Sequence, residues 1–175
     1  MQQQKEILGA VLQNRRLVAE LCCSPTSKMT AVACQQLGEG GGIRIGLPAF
    51  DLFRKDAQQR ALALLRAHRP AYVWVAPPCT AWTSWQHYNQ YRPGVAEELQ
   101  LERERSARLM RTVFSLALTC QQEWGAHVCF EHPRHATSWR LKQVRRFLQL
   151  AGTYTAELDG CSVGLRSGAG LVLKP

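Results

Sequence analysis

The sequence predicts an α/β protein whose sheet is mostly parallel and doubly wound, with helices on both faces. Short apolar runs bounded by turn residues alternate with stretches of helical periodicity along the chain. Strands that are separated by helices pair in parallel and need cover on both faces. The chain has 175 residues, 46% of them hydrophobic and 20% charged, which suits one domain with a core of its own.

Each predicted strand is a short apolar run, and each predicted helix has apolar residues on one face. The predicted strands cover residues 16–22, 42–47, 71–76, 127–131 and 153–160, with a short final strand at 170–175. The predicted helices cover residues 3–14, 26–38, 53–68, 97–124 and 140–152. Gly38 and Pro70 are stop signals for the helices that precede them. An N-terminal helix (residues 1–15) is therefore expected before one lobe, residues 16–175.

The composition limits the class of protein. The seven cysteines are an odd number and include no C-x-x-C pair, which argues against a disulfide framework and against a zinc site. No run approaches the roughly 20 apolar residues that cross a bilayer, and the N-terminal segment MQQQKEILGAVLQNRR is too polar for a signal peptide. We therefore expect an intracellular protein, nuclear or cytoplasmic, that binds neither a metal nor a membrane.

Chemically capable side chains follow three of the predicted strands. The run VWVAPPCTAWTSW takes the third strand into Pro77, Pro78 and Cys79, the fourth strand ends at Glu131, and Glu20 lies near the end of the first. In parallel α/β sheets, ligands bind beyond the carboxyl ends of the strands. The two prolines are expected to end the ladder and hold the thiol out of the strand, or else only to end a buried strand, with no role in catalysis. A half-buried Glu131 is a candidate proton donor, or else forms a salt bridge with Arg134 or Arg140.

The positive charge is concentrated in one segment. The formal net charge is +9, and residues 132–156 contain no acidic side chain. The cations of that segment are Arg134, Arg140, Lys142, Arg145 and Arg146. Such a segment suits the phosphate backbone of DNA or RNA. A solvated helix face is the alternative interpretation.

The motifs resemble those of the cytosine-5 methyltransferases, which use S-adenosylmethionine. APPCTAWTSW is similar to that family's Pro-Pro-Cys loop, Glu131-His132-Pro133 to its Glu-Asn-Pro strand end, and residues 20–25 to its first cofactor turn. Asp51-Leu52 looks like the acidic pair that reads the adenine amine, and GCSVGLR is similar to a stretch that ends in Arg166. The resemblance implies a Rossmann-like fold of the class I methyltransferase type.

The resemblance also implies roles for individual residues. Cys79, Glu131 and Arg166 would be catalytic, with Cys79 adding to a flipped cytosine. The cofactor-binding residues would be Glu20, Cys22, Ser24, Asp51 and Pro77. Trp82 and Trp85 would stack on the nucleic acid, or else anchor the loop in the core.

Three features depart from the family. Ser24-Pro25-Thr26-Ser27 stands where glycines normally let the backbone approach the cofactor, His132 replaces an asparagine, and the chain ends where the family begins its target-recognition domain. The chain is also similar to uncharacterised retroelement polyprotein segments of protists, so other polyprotein segments are candidate partners. A catalytically inactive nucleic-acid-binding module stays open as the alternative. So does a cysteine hydrolase using Cys79 with a histidine, although no G-x-C-x-G elbow is present.

Overall fold

A computed structural model describes residues 17–23, 25, 27–38, 41–157, 166–167 and 170–171 of the chain. The predicted N-terminal helix (residues 1–15) lies outside the described residues, and so does Ser24. The chain divides into two compact units. Unit 1 comprises residues 1–78 and 108–131, and unit 2 comprises residues 79–107 and 132–175.

A four-stranded parallel sheet forms the centre of unit 1, with the strand order β2-β1-β3-β4. The strands are β1 (Val18–Leu21), β2 (Gly42–Ile45), β3 (Tyr72–Val75) and β4 (His127–Phe130). The helices of the described residues are α1 (Lys28–Leu37), α2 (Lys55–His68), α3 (Gln86–Asn89), α4 (Val95–Trp124) and α5 (Lys142–Leu148). Each of the four strands overlaps a predicted one, which confirms the α/β class and the parallel sheet.

Helices cover both faces of this sheet. Successive side chains of a strand point to opposite faces. Ala19 and Leu21 of β1 are buried in the main core with side chains of α2 and α4, among them Leu65 and Val113. Glu20 points to the other face, where its carboxylate accepts a hydrogen bond from Thr30 of α1. The first helix therefore covers the face opposite to α2 and α4.

The strand order places a topological switch point between β1 and β3. The chain moves from β1 to β2 on one side, and β3 then pairs with the other side of β1. Ladder bonds extend one residue beyond β1 and β3, since Cys22 N donates to Ile45 O (2.8 Å) and Ala76 N donates to Leu21 O (3.2 Å). In open α/β sheets a ligand crevice forms at such a point, outside the carboxyl ends of the strands.

Unit 2 has a small core of its own. Its buried side chains are Ala81, Trp82, Leu99 and Ala136, with Ala107, Trp139 and Leu141 packed against them. The unit also contains 3₁₀ turns at Thr80–Trp82 and Thr137–Arg140, and the antiparallel pair β5 (Arg166–Ser167) and β6 (Gly170–Leu171).

Two sequence predictions in unit 2 are wrong in detail. The predicted helix over 140–152 is limited to Lys142–Leu148, because Leu141 has an extended backbone (ψ 139°) that separates it from the preceding 3₁₀ turn. The predicted strand over 153–160 has no strand pairing in its described part, residues 153–157. Thr153 N closes a turn onto Leu150 O, and Tyr154 is 91% exposed. In the part of the chain that is described, no helix has the length and apolar character needed to cross a bilayer.

Candidate active site

Glu20, at the carboxyl end of β1, is a buried acid with two hydroxyl partners. Its side chain is 5% exposed. One carboxylate oxygen accepts a hydrogen bond from Ser27 Oγ and the other accepts one from Thr30 Oγ1 at 2.7 Å. Because a buried carboxylate is costly without such donors, these bonds explain how Glu20 is tolerated beneath α1. They also occupy part of its capacity to bind a ligand.

The turn after β1 is fastened to β2. Arg44 lies opposite Glu20 in the parallel register, and its guanidinium donates hydrogen bonds to Pro25 O and to Ser27 O (2.8 Å for the latter). A Cβ added to Gly46 would lie 2.7 Å from Cys23 O, so only glycine allows the two chains to approach this closely. The glycine at this edge of the sheet thus serves the contact between the turn and the residue after β2, and not an approach of the turn to a cofactor.

Cys22, in the turn after β1, is distinguished by its backbone conformation and by a buried thiol. It has a positive φ of 63°, a conformation that is unusual for a residue with a Cβ. Burial, together with the neighbouring Cys23, raises the pKa of the Cys22 thiol to about 12. Burial also raises the pKa of the Cys23, Cys120 and Cys129 thiols. A raised pKa lowers the fraction of thiolate, which is the nucleophilic form, so none of these four side chains is a candidate nucleophile.

Asp51 and Pro77 are the other described residues of the predicted cofactor set. Asp51 Oδ1 accepts a hydrogen bond from Phe53 N at 3.1 Å, an Asx turn that leads toward α2. Its side chain is half-buried. Pro77 is buried two residues beyond β3, and it has no N–H with which to continue the ladder.

Glu131 comes directly after β4, and its carboxyl group is exposed rather than half-buried as expected. Its backbone N donates to Val75 O at 3.0 Å, so the ladder between β3 and β4 extends to this residue. The proposed alternative partner Arg134 instead forms an ion pair with Glu157 at 2.9 Å.

Cys79, in unit 2, stands at the start of a well-anchored loop. The carbonyl of Cys79 accepts a hydrogen bond from Trp82 N at 2.8 Å, which closes the first 3₁₀ turn. Trp82 is 6% exposed, and its Nε1 donates to Ser106 Oγ at 2.7 Å. Arg103 adds a hydrogen bond to Ala81 O. The burial of Trp82 favours the anchoring alternative over stacking on a base, and it fixes the backbone next to the half-buried thiol.

Trp85 differs from Trp82, because it is exposed. Its side chain is 73% exposed, and its ring centroid lies 6.4 Å from that of Tyr88, which is 75% exposed. Both residues are in unit 2, at the short helix α3. The sequence singles out Trp85 but not Tyr88, since a tyrosine in a polar loop carries no distinctive signal.

The basic segment of unit 2 lines an open pocket of about 370 Å³. Its lining residues are Ser84, Arg134, His135, Ala136, Thr137, Trp139 and Arg140. Of the predicted nucleic-acid-binding cations, Arg134 and Arg140 are therefore at this pocket. Lys142, Arg145 and Arg146 are exposed on α5, whose Val144 and Phe147 are buried.

His132 and Trp139 contribute to unit 2 in ways that the sequence does not predict. His132 is buried, and its Nδ1 lies 2.6 Å from Oγ of the fully buried Ser138. Trp139 is edge-on to the His132 ring at 6.5 Å, and its Nε1 donates to Pro133 O at 2.8 Å. The pairing of a histidine with a serine six residues later depends on the turn between them, in which Ala136 N donates to Pro133 O at 3.0 Å, and this turn has no clear signature in sequence.

The predicted residues are thus divided between the units. Unit 1 holds the described cofactor residues and Glu131, whereas unit 2 holds Cys79, both tryptophans and the cations. The side chain of Arg166 lies outside the described part of the structure, as does Ser24. Among the residues that are described, no three His, Cys, Asp or Glu side chains are grouped as metal ligands would be.

The described residues form an α/β protein with a four-stranded parallel sheet, an arrangement compatible with a Rossmann-like fold, and acidic side chains lie at the carboxyl edge of the sheet. No protein family, curated protein or solved structure matches the chain. The resemblance to the cytosine-5 methyltransferases therefore depends on the motifs and on their position at the ends of strands.

Proposed function

We propose that this chain is an S-adenosylmethionine-dependent, cytosine-5 methyltransferase-like domain that acts on DNA or RNA. One observation carries the proposal. Glu131 directly follows β4, and Cys79 follows β3 after Ala76-Pro77-Pro78. The strands β3 and β4 are hydrogen-bonded parallel neighbours. The covalent chemistry needs a nucleophile and an acid delivered from adjacent strand ends, and the sequence supplies both residue types there.

The two residues would share the activation of the ring. The Cys79 thiolate forms a bond to C6 of the cytosine, and Glu131, whose carboxyl group is exposed, passes a proton from solvent to N3 as electron density moves toward C5. After C5 has gained the methyl group, a water molecule takes its proton, the Cys79–C6 bond breaks and the thiolate leaves. The proton on N3 returns to solvent through Glu131, so both residues are regenerated.

S-adenosylmethionine would supply the methyl group, with S-adenosylhomocysteine as the second product. The chain residues that suit it are Asp51, a half-buried acceptor for an amine, and the turn at Cys22, which lies beside the switch point of the sheet. Glu20 fits less well, because Ser27 and Thr30 already donate to its carboxylate.

Methyl transfer to a cytosine oligonucleotide tests the proposal. The full chain is incubated with S-adenosylmethionine and with oligo(dC) or oligo(rC), and 5-methylcytosine is measured by mass spectrometry after nuclease digestion. We expect product from the wild type and from the control variant Cys34→Ala, which removes a half-buried thiol of α1. We expect no product from Cys79→Ala and a large loss of rate from Glu131→Gln, which keeps the shape but cannot pass a proton to N3.

The second candidate function is a nucleic-acid-binding module without catalysis. The engaged carboxylate of Glu20 and the hydrogen bonds of Arg44 to the adjacent turn favour it, since both use groups near the cofactor edge for structure. This candidate predicts no 5-methylcytosine. It also predicts salt-dependent oligonucleotide binding that is retained in Cys79→Ala and weakened when Arg145 and Arg146 are neutralised.

A further inference from the structure

Unit 2 exposes aromatic rings beside a basic pocket. Trp85 and Tyr88 have ring centroids 6.4 Å apart and are exposed, and Tyr91 is 82% exposed three residues later. Exposed apolar side chains that are clustered in one segment mark a binding surface more often than scattered ones do. We call Trp85 and Tyr88 the aromatic pair.

One of the residues that line the pocket is the sequence neighbour of this pair. Ser84 lines the pocket and is bonded directly to Trp85. The other lining side chains include Arg134, Arg140 and the half-buried indole of Trp139. Because the Trp139 N–H donates to Pro133 O, its ring offers the pocket a surface rather than a hydrogen bond.

The cations at the pocket are accessible to an anion. Arg134 pairs with Glu157, but both side chains are at least half exposed, and an exposed ion pair contributes little stability. A phosphate group can therefore take the place of that carboxylate. Arg140 is exposed on the 3₁₀ turn at the same pocket, and the exposed cations of α5 follow it in sequence.

We propose that the aromatic pair and the pocket at Arg134, Trp139 and Arg140 form a binding surface for single-stranded nucleic acid. Cations along a groove bind the phosphates, and aromatic faces stack on unpaired bases, which a duplex keeps within its own stack. An acidic peptide would use the cations but would gain nothing from the rings. This inference deepens the proposed function by naming its substrate class, although binding does not require methyl transfer.

Fluorescence anisotropy with labelled oligonucleotides tests the inference on the full chain. The probes are fluorescein-labelled oligo(dT), oligo(rU) and the matching dA·dT duplex, each titrated over a range of salt concentrations, with poly-glutamate as competitor. We expect tighter binding of the single strands than of the duplex, and weaker competition by poly-glutamate than by an unlabelled strand of equal charge.

Two pairs of variants separate stacking from charge. The double variant Trp85→Ala/Tyr88→Ala, which removes both rings of the aromatic pair, should weaken binding about tenfold or more without changing its salt dependence. The double variant Arg134→Ala/Arg140→Ala should make the slope of log K against log salt shallower by roughly 0.7 for each phosphate that is no longer neutralised. The matched controls are Tyr154→Ala, an exposed ring that does not line the pocket, and Arg111→Ala on α4.

A conservative double variant controls for loss of the fold in the alanine variant. Trp85→Phe/Tyr88→Phe keeps an aromatic ring at both positions and should bind within a few-fold of the wild type. Equal or tighter duplex binding, unchanged affinity in the alanine pair, or full competition by poly-glutamate would each overturn the inference. Methylation that persists while the alanine pair binds normally overturns only this inference. Single-strand binding without methylation overturns only the proposed catalysis.

Discussion

Among single residues, Glu20 has the clearest energetic consequence, because it is a buried carboxylate that depends on two hydroxyl donors. A buried acceptor that loses its donor retains the full cost of its desolvation. The sequence identifies Glu20 as a polar residue at the end of an apolar strand. It does not identify Ser27 and Thr30 as its partners, since those contacts depend on how α1 packs on the sheet.

Replacing Thr30→Val should lower the free energy of unfolding by about 1–3 kcal/mol, because it keeps the side-chain shape and removes one donor to the buried carboxylate. Urea denaturation of the full chain measures this loss. The matched control is Thr119→Val, since Thr119 donates only to a carbonyl of its own helix, Ser115 O, and should change stability by less than about 0.5 kcal/mol. Equal effects of the two substitutions would contradict the assigned role of Thr30.

Trp82 and Trp85 show that residue type alone does not determine whether a tryptophan anchors a loop or is free to stack on a base. Both lie in the loop after β3, and the sequence allows each to anchor or to stack. Burial and the bond to Ser106 assign Trp82 to the small core of unit 2, whereas Trp85 remains exposed. The difference depends on Ser106 and Leu99, which lie on α4 and are remote in sequence.

At the scale of elements, the sequence predicts best where hydrophobic periodicity and stop signals agree. The predictions of β3 and α2 are confirmed within two residues at each end, because apolar runs and Pro70 limit them. The prediction of a strand at 153–160 is wrong in its described part. Alternating polar and apolar residues favour a strand only if a neighbouring strand pairs with them, and the local turn onto Leu150 takes precedence here.

The contact between β2 and the turn after β1 gives a prediction at this scale. Gly46→Ala should destabilise the chain by about 1–3 kcal/mol, because its Cβ would lie 2.7 Å from Cys23 O and the backbone must shift. Thermal unfolding followed by circular dichroism measures the change. A variant as stable as the wild type would show that the turn is not held against β2 as described.

For the whole molecule, composition predicts the class and the charge but not the connectivity of the sheet. The order β2-β1-β3-β4 sets the switch point beside β1. It depends on how the chain crosses between strands, and hydrophobic periodicity does not predict which strands become neighbours. The positions of Cys79 and Glu131 shortly after β3 and β4 are predicted from the sequence, whereas the exposure of Glu131 is not. In unit 2 the sequence identifies Trp85, Arg134 and Arg140, but the contribution of Tyr88 and the pocket itself require the fold.

The central claim is that Cys79 attacks a cytosine while Glu131 protonates it, and covalent trapping tests this most directly. An oligonucleotide that contains 5-fluorocytosine is incubated with S-adenosylmethionine and the full chain. The fluorine blocks the final loss of a proton from C5, so the Cys79–C6 bond should persist. Peptide mapping by mass spectrometry should find the adduct on Cys79, with the same yield in Cys34→Ala and none in Cys79→Ala. No adduct with the intact chain, or an equal yield after Cys79→Ala, would contradict the claim.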